Sequence, residues 1–319
     1  MPDSTSRLLP ITSAEQETGL SKDLLRAWER RYGFPAPLRD AQGDRLYPPD
    51  QIRKLRLLRA LTDRGERPAK LMALHEHELA ARLAELREGD AGEDPAPDHP
   101  GSDWSDWLEP VAQARPELLE ARLGTEVIRF GLERFAIEVA APLCAAAGLA
   151  WERGELAIHQ EHLFSQVMAR CLRQNIARIA VHSAGAPSVL LTTVPGEMHE
   201  LGLLMVEAVL TTHGLHCVNL GTQMPLDDVV AAAAAHACTV VALSFSSSFN
   251  ARLAAKAVTD LRKALPADIR IWAGGANAGL RTRLPDGIEV FAGLAGIAPA
   301  IAALTGDRHA EDSGPEGRR

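Results

Sequence analysis

The stretch Ser188-Val-Leu-Leu-Thr-Thr-Val-Pro-Gly-Glu-Met-His-Glu-Leu-Gly202 changes character twice. Residues 188–194 are apolar and β-branched, with no polar alternation, as in a strand buried on both faces. Pro195-Gly196 breaks the strand, and Leu201 to Leu210 follows as a compact apolar helix. Strand, break and helix form the first half of a parallel βαβ unit. On the connecting loop, Glu197 stands two residues before His199. A carboxylate placed there can take one ring N–H, fix the tautomer and raise the basicity of the other nitrogen, as metal-ligating histidines require. An ordinary solvated loop would also account for these residues alone. The rest of the chain decides between the two.

The alternation continues to residue 305. Residues 216–220, 239–244, 269–272 and 287–291 read as strands, and 201–213, 225–236, 251–264 and 296–304 as helices. This pattern predicts an α/β doubly wound, Rossmann-like parallel sheet that binds its ligand at the carboxyl ends of the strands. Three such ends carry unusual residues: Glu197, His199 and Gly202; Ser244 and Ser246; Gly274 and Gly275. Small residues at neighbouring strand ends leave a slot for a long group. The Gly-x-Gly-x-x-Gly fingerprint of dinucleotide binding is missing.

Before the sheet, residues 104–186 are helical. Segments 118–123, 127–130, 135–147 and 163–180 space apolar residues by three and four, as in a small four-helix bundle. Gly154 ends the helix that carries Trp151, and Glu161-His162 opens the next, so both lie near one bundle end. His159 and His162 could pair on a metal, but no third ligand at helical spacing accompanies them.

The N-terminal segment, 1–87, differs in charge. From Leu20 to Lys70 there are 13 Lys and Arg against 7 Asp and Glu, whereas the whole chain is −8. A basic module on an acidic body points to nucleic-acid contact at one end. Thr12-Ser-Ala-Glu15 reads as a capping box opening a short helix. Gly19-Leu-Ser21 is a turn with Ser21 as the next N-cap, and 22–32 is a second helix. Two helices joined by such a turn form a helix-turn-helix. The second carries Lys22, Arg26, Arg30 and Arg31 with Trp28 and Tyr32 interleaved, a composition suited to a major groove. A wing-like stretch follows around a turn at 40–44, then a helix over 51–64 with Ile52, Leu55, Leu58 and Leu61 on one face. Acidic, Pro- and Gly-rich residues 88–103 read as a flexible linker, and 306–319 as a disordered tail. No run of eighteen apolar residues and no signal-like N-terminus appear, and the four cysteines include no Cys-x-x-Cys pair. A cytoplasmic protein with neither a zinc site nor a disulfide framework is expected.

Arg26-Ala-Trp-Glu-Arg-Arg-Tyr-Gly33, then Arg39 and Gly43-Asp-Arg-Leu-Tyr47, resembles the winged helix-turn-helix of MerR-type transcription regulators over about residues 8–80. The resemblance assigns Arg26, Trp28 and Arg30 to the recognition helix and Arg39, Arg45 and Tyr47 to the wing that grips double-stranded operator DNA. MerR relatives usually dimerise through a long helix after this module. Here 71–87 and the linker replace it, so self-association must arise elsewhere. Residues 104–305 resemble a cobalamin-binding domain of the methionine-synthase type, whose loop reads Asp-x-His-x-x-Gly. This chain has Glu197 in the Asp position. That resemblance implies His199 as lower axial cobalt ligand, Glu197 as its orienter, Gly202 as a close-approach position, and Ser244, Ser246, Gly274 and Gly275 lining the slot for the cofactor's base tail. The order of the two modules, with nine residues between Trp151 and Glu161-His162, resembles the light-responsive repressors of the CarH/LitR family. It implies a non-enzymatic repressor in which Trp151, Glu161 and His162 frame the upper ligand of adenosylcobalamin, and in which the ligand controls assembly into dimers or tetramers and operator binding. Light-sensing members usually place His after the Trp; here Glu152 is the residue that could reach the upper position after photolysis. A light-independent corrinoid sensor is the alternative reading, and a corrinoid methyl carrier a third.

Overall fold

A computed structural model describes residues 8–63, 65–90, 104–179, 185–281 and 284–311. Two compact units form: residues 1–93 with 148–158, and 94–147 with 159–319. The helical region and the sheet follow the predicted order, with one difference in grouping. Residues 148–158, expected within the bundle, cluster with the N-terminal module.

In the first unit, β1 (Leu9–Pro10) leads into α1 (Ile11–Thr18) and α2 (Lys22–Tyr32). The wing strands β2 (Leu38–Arg39) and β3 (Arg45–Tyr47) follow, then α3 (Pro49–Asp63), α4 (Pro68–Leu71) and α5 (Glu76–Asp90). β3 is the centre of a small antiparallel sheet, flanked by β1 and β2. Ser21 caps α2 as expected, its Oγ accepting from the Leu24 N–H at 3.2 Å, and Gly33 closes it at φ 70°. The expected capping box at residues 12–15 does not form. α1 starts two residues earlier, with Pro10 at its N-cap and no side-chain cap, because residues 9–10 are committed to pairing with β3. The predicted apolar face Ile52, Leu55, Leu58 and Leu61 is buried, together with Leu25, Trp28, Tyr47, Leu71 and Leu79.

After the expected linker come α6 (Ser105–Ala112) and α7 (Pro116–Phe130), then the short helix α8 (Leu132–Phe135), a π-helical turn Ala136–Ala140, α9 (Ala141–Glu152) and α10 (Ile158–Ile179), which open the second unit except for residues 148–158. The sequence divided α7 between two helices; it is continuous. Residues 132–152 are long and apolar enough to cross a membrane by length and composition. In this fold Phe135, Val139 and Leu143 are buried in the unit's core.

The sheet comprises β4 (Ser188–Thr192), β5 (His216–Asn219), β6 (Val240–Ser244), β7 (Arg270–Gly274) and β8 (Ile288–Phe291), all parallel, in the order β5-β4-β6-β7-β8. α11 (Leu201–Thr212), α12 (Leu226–Ala235), α13 (Ala251–Ala264) and α14 (Ile297–Glu311) connect and cover it. Val189, Leu190, Leu191, Val240 and Val241 have no exposed surface, the double burial that a run without polar alternation predicts. Because the strand order reverses at β4 and β6, their carboxyl ends flank the topological switch point, where such sheets open a ligand crevice. Residues 88–90 and 306–311, expected in the linker and the tail, are helical. α5 reaches Asp90 and α14 reaches Glu311; residues 91–103 and 312–319 lie outside the described residues.

Candidate cofactor site and DNA-binding face

The loop after β4 turns at Gly196, φ 88°, a left-handed conformation in which glycine is unstrained. That turn sends Glu197 inward and His199 outward: the carboxylate side chain is 1% exposed and the imidazole 61%. Glu197 Oε1 accepts from His199 Nδ1 at 2.6 Å and from the His199 backbone N–H at 3.0 Å. Oε2 accepts from both the N–H and the hydroxyl of Ser246, each at 2.8 Å. All four contacts converge on one buried carboxylate. Since an ionised carboxylate only accepts, Nδ1 carries the proton in this bond and the lone pair of neutral His199 sits on Nε2. Burial pushes the Glu197 carboxyl upward, but the His199 ring bond, the charge of that ring and the backbone donors outweigh it, leaving Glu197 below its ordinary value. The same bond to Glu197 raises His199 above its ordinary 6.5 against the opposing effect of burial, helped by the charges of Glu197 and Glu161. Glu161 therefore lies within electrostatic reach of the imidazole. It also accepts from Ser165 Oγ at 2.7 Å and pairs with the exposed His162 ring at 2.8 Å.

The loop's support includes residues that the sequence did not single out. Thr193 Oγ1 donates to the Glu197 carbonyl at 2.6 Å and accepts from the Gln223 N–H at 2.8 Å. Buried Asn277 donates to the carbonyls of Ser246 and Phe249 at 2.9 and 2.7 Å, which fixes the loop after β6. A lone Thr and a lone Asn in loops carry no periodic signal, so only the folded arrangement identifies them.

Both donors of Ser246, just after β6, are committed to Glu197. The φ of Gly275 is 112°, and a Cβ there would stand 2.1 Å from the Phe245 carbonyl oxygen, so the glycine permits one loop to pass another. Gly274 ends β7 in register with Ser244. Gly202 packs closely on Ser244, since a Cβ would stand 2.3 Å from Ser244 Oγ. An exposed imidazole with its tautomer fixed and a glycine beside a serine at the switch point fit a corrinoid, which His199 would hold through one ring nitrogen. A bare metal ion has no such set; among the described residues no three His, Cys, Asp or Glu side chains cluster to hold one.

Trp151 and Glu152 lie at the end of α9. The Trp151 indole is partly buried and Glu152 is 9% exposed.

On the first unit, Arg30 and Arg31 are exposed on α2, and Arg39 on β2. Lys22 pairs with Glu15 at 3.6 Å, and Arg26 with Asp23 at 3.4 Å. Arg45 donates to Glu29 of α2 through Nε at 2.7 Å, and Arg39 lies 3.9 Å from the same carboxylate. One glutamate thus ties the wing to the helix. Trp28 and Tyr47 are corrected: they are 5% and 0% exposed, so both are core residues and neither side chain presents a surface to DNA.

Residues 187–299 match the B12 binding domain family and residues 9–74 the MerR HTH family regulatory protein model. The chain is 33% identical to the HTH-type transcriptional repressor CarH of Myxococcus xanthus over 85% of this chain and 90% of that protein. It is 28% identical to the HTH-type transcriptional repressor CarA of the same organism over 86% of this chain and 89% of that one. A solved monomethylamine corrinoid protein from Methanosarcina barkeri aligns with 63% of this chain and 96% of its own length, at 18% identity and TM-score 0.46. With a DNA-reading module, a cobalamin domain and this collinear identity, the chain belongs to the family of CarH-type HTH transcriptional repressors, and is a DNA-binding, cobalamin-binding transcription regulator and not an enzyme.

Proposed function

We propose that this regulator uses adenosylcobalamin as a light-sensing ligand to control self-association and operator binding. The observation that carries the cofactor reading is the buried Glu197 carboxylate, which holds His199 Nδ1 and leaves Nε2 on an exposed ring at the switch point. In this reading His199 would hold the cobalt through Nε2, with Glu197 as its orienter and Ser246 as the anchor of Glu197. Gly202 would let the base tail pass Ser244 and Gly274, while Trp151, Glu161 and His162 would frame the upper ligand and Glu152 would be the residue offered to it after photolysis. When bound, adenosylcobalamin supplies a cobalt–carbon bond that visible light breaks. The chain's residues orient the ring, exclude water from the upper face and couple its occupancy to assembly. Several winged modules gathered on one operator bind far more tightly than one, so a modest change in assembly can release DNA. The exposed Arg30, Arg31 and Arg39, with Lys22, Arg26 and Arg45, form the DNA face.

The decisive measurement mixes the full chain with adenosylcobalamin in the dark and records its absorbance and its retardation of operator DNA, then repeats both after illumination. A base-off, histidine-ligated spectrum and loss of retardation in light are expected. If light changes neither, the chain is a light-independent corrinoid sensor, the second reading favoured by Glu152 where light-sensing relatives carry His.

A further inference from the structure

Arg56 of α3 is a buried arginine in the first unit, its side chain 7% exposed. Its Nε donates to the Glu17 carbonyl at 3.1 Å, and a terminal nitrogen bonds the Glu17 carboxylate. Its other terminal nitrogen donates to the Trp151 carbonyl at 3.3 Å, and the guanidinium lies 5.0 Å from the centre of the Trp151 ring. One turn earlier on α3, the Arg53 side chain packs where Gly154 lacks a Cβ, 3.1 Å from that position. Gly154 has φ 74°, so it both makes the turn and leaves room for Arg53. Two arginines spaced i, i+3 therefore hold the 151–154 segment. The same α3 row also grips the end of α1, where Arg59 donates to the Gly19 carbonyl at 3.0 Å. Cations at a helix carboxyl end are favourable, and a guanidinium removed from water must keep its partners.

The Trp151 indole N–H is buried with no hydrogen-bond partner. The ring face is thus satisfied by Arg56 while the donor is not, which leaves the indole something to gain by moving to an acceptor elsewhere.

We propose that Arg56 is a positioning residue for Trp151: it holds the indole on the winged-helix module, so that module and ligand compete for one side chain. The proposal rests on reading Trp151 as part of the upper-ligand frame. Because the Arg56 partners lie on α1, releasing Trp151 alters the support of the first helix of the helix-turn-helix. Reciprocity follows. Whatever free energy the contact contributes is subtracted from cobalamin binding, and bound cobalamin weakens the contact by the same factor.

The test uses the full-length chain labelled with nitrogen-15, adenosylcobalamin as probe and dim red light. The Trp151 indole resonance is assigned from its loss in Trp151→Phe. Arg56→Met keeps the buried stem and removes the charge. It should shift that resonance in the cofactor-free protein, tighten adenosylcobalamin binding about tenfold, and shrink the effect of cobalamin on operator affinity by the same factor. If Arg56→Met moves the resonance but leaves cobalamin affinity and its effect on DNA unchanged, the contact does not couple and the proposal is wrong. An unmoved resonance overturns the contact itself. Should Arg56→Met fail to fold, Glu17→Gln, which loosens the anchor and keeps Arg56, decides by the same readouts with a smaller shift expected. Wild-type protein that fails to take up adenosylcobalamin would instead sink the cofactor reading, a result visible before any variant is compared.

Discussion

At the residue scale, the Glu197–His199 pair combines a buried acceptor with an exposed base, and each half explains the other. The carboxylate is held low by His199 and the Ser246 donors, and the imidazole is held high by the carboxylate. A depressed acid stabilises the fold above its unfolded value and loses that contribution as pH falls through its folded value; a raised base does so below its unfolded value and loses it as pH rises through its folded value. The pair is therefore fully stabilising between about 4.5 and 6.5. An NMR titration of the cofactor-free protein should place His199 above 6.5, and Glu197→Gln should bring it down; an ordinary titration in both proteins would sink the account. In the cofactor-bound state His199→Ala should weaken cobalamin binding and remove the histidine-ligated spectrum, because Nε2 of this ring is the nitrogen left available. Gly202→Ala should also weaken uptake without altering that tautomer. Its methyl would meet Ser244 Oγ, an overpacking worth about 1–3 kcal/mol, and absorbance titration beside the Ser244→Ala, Gly202→Ala double variant, which relieves the clash, would separate crowding from lost ligation.

At the element scale, the parts legible in the sequence were those with a repeat or a cap. β4 is an unbroken apolar run, α2 has Ser21 at one end and Gly33 at the other, and α3 has four apolar residues at helical spacing. Elements without such a signature were missed. β1 is two residues long, too short for any alternation, yet its pairing with β3 moves the start of α1 and leaves the capping box unused. The π-helical turn at 136–140 arises in a continuous apolar stretch and interrupts no pattern. Trp28 and Tyr47 were placed on the DNA face because aromatic residues among arginines look the same in sequence whether they point in or out; the fold buries both. That correction has a consequence. Tyr47→Phe removes a buried hydroxyl that has no hydrogen-bond partner, so operator affinity and stability should both be unchanged or slightly improved. Arg45→Ala, by contrast, removes a wing cation and frees Glu29, so affinity should fall to a similar extent on every DNA sequence and the salt dependence should lose about one phosphate contact. Retardation assays on DNA selected with the full chain, at several salt concentrations, distinguish the two. A loss of affinity in Tyr47→Phe would return the hydroxyl to the phosphate backbone.

At the scale of the whole molecule, the order of modules was legible because a basic segment, an acidic Pro- and Gly-rich stretch and an α/β alternation succeed one another. The grouping of 148–158 with the N-terminal unit was not, because it depends on the tertiary meeting of Arg53 and Arg56 with Gly154 and Trp151. Glu152 lies in that same segment, 9% exposed, so the residue that separates the light-sensing reading from the light-independent one belongs to the part of the chain that composition could not place. Its chemistry sets the last expectation. A carboxylate holds Co(III) less persistently than an imidazole and yields more readily to water, so a chain with Glu at this position should retain its corrinoid poorly after illumination. Glu152→His should slow that loss. The comparison passes wild type and variant, each loaded with adenosylcobalamin, through a desalting column before and after light and reads the corrinoid that stays with protein, with operator retardation measured on the same fractions. Greater retention in the variant only after illumination ties residue 152 to the upper face. Equal retention in both states would show that this position never meets the cofactor, and the weight of the light response would then fall on Trp151, Glu161 and His162.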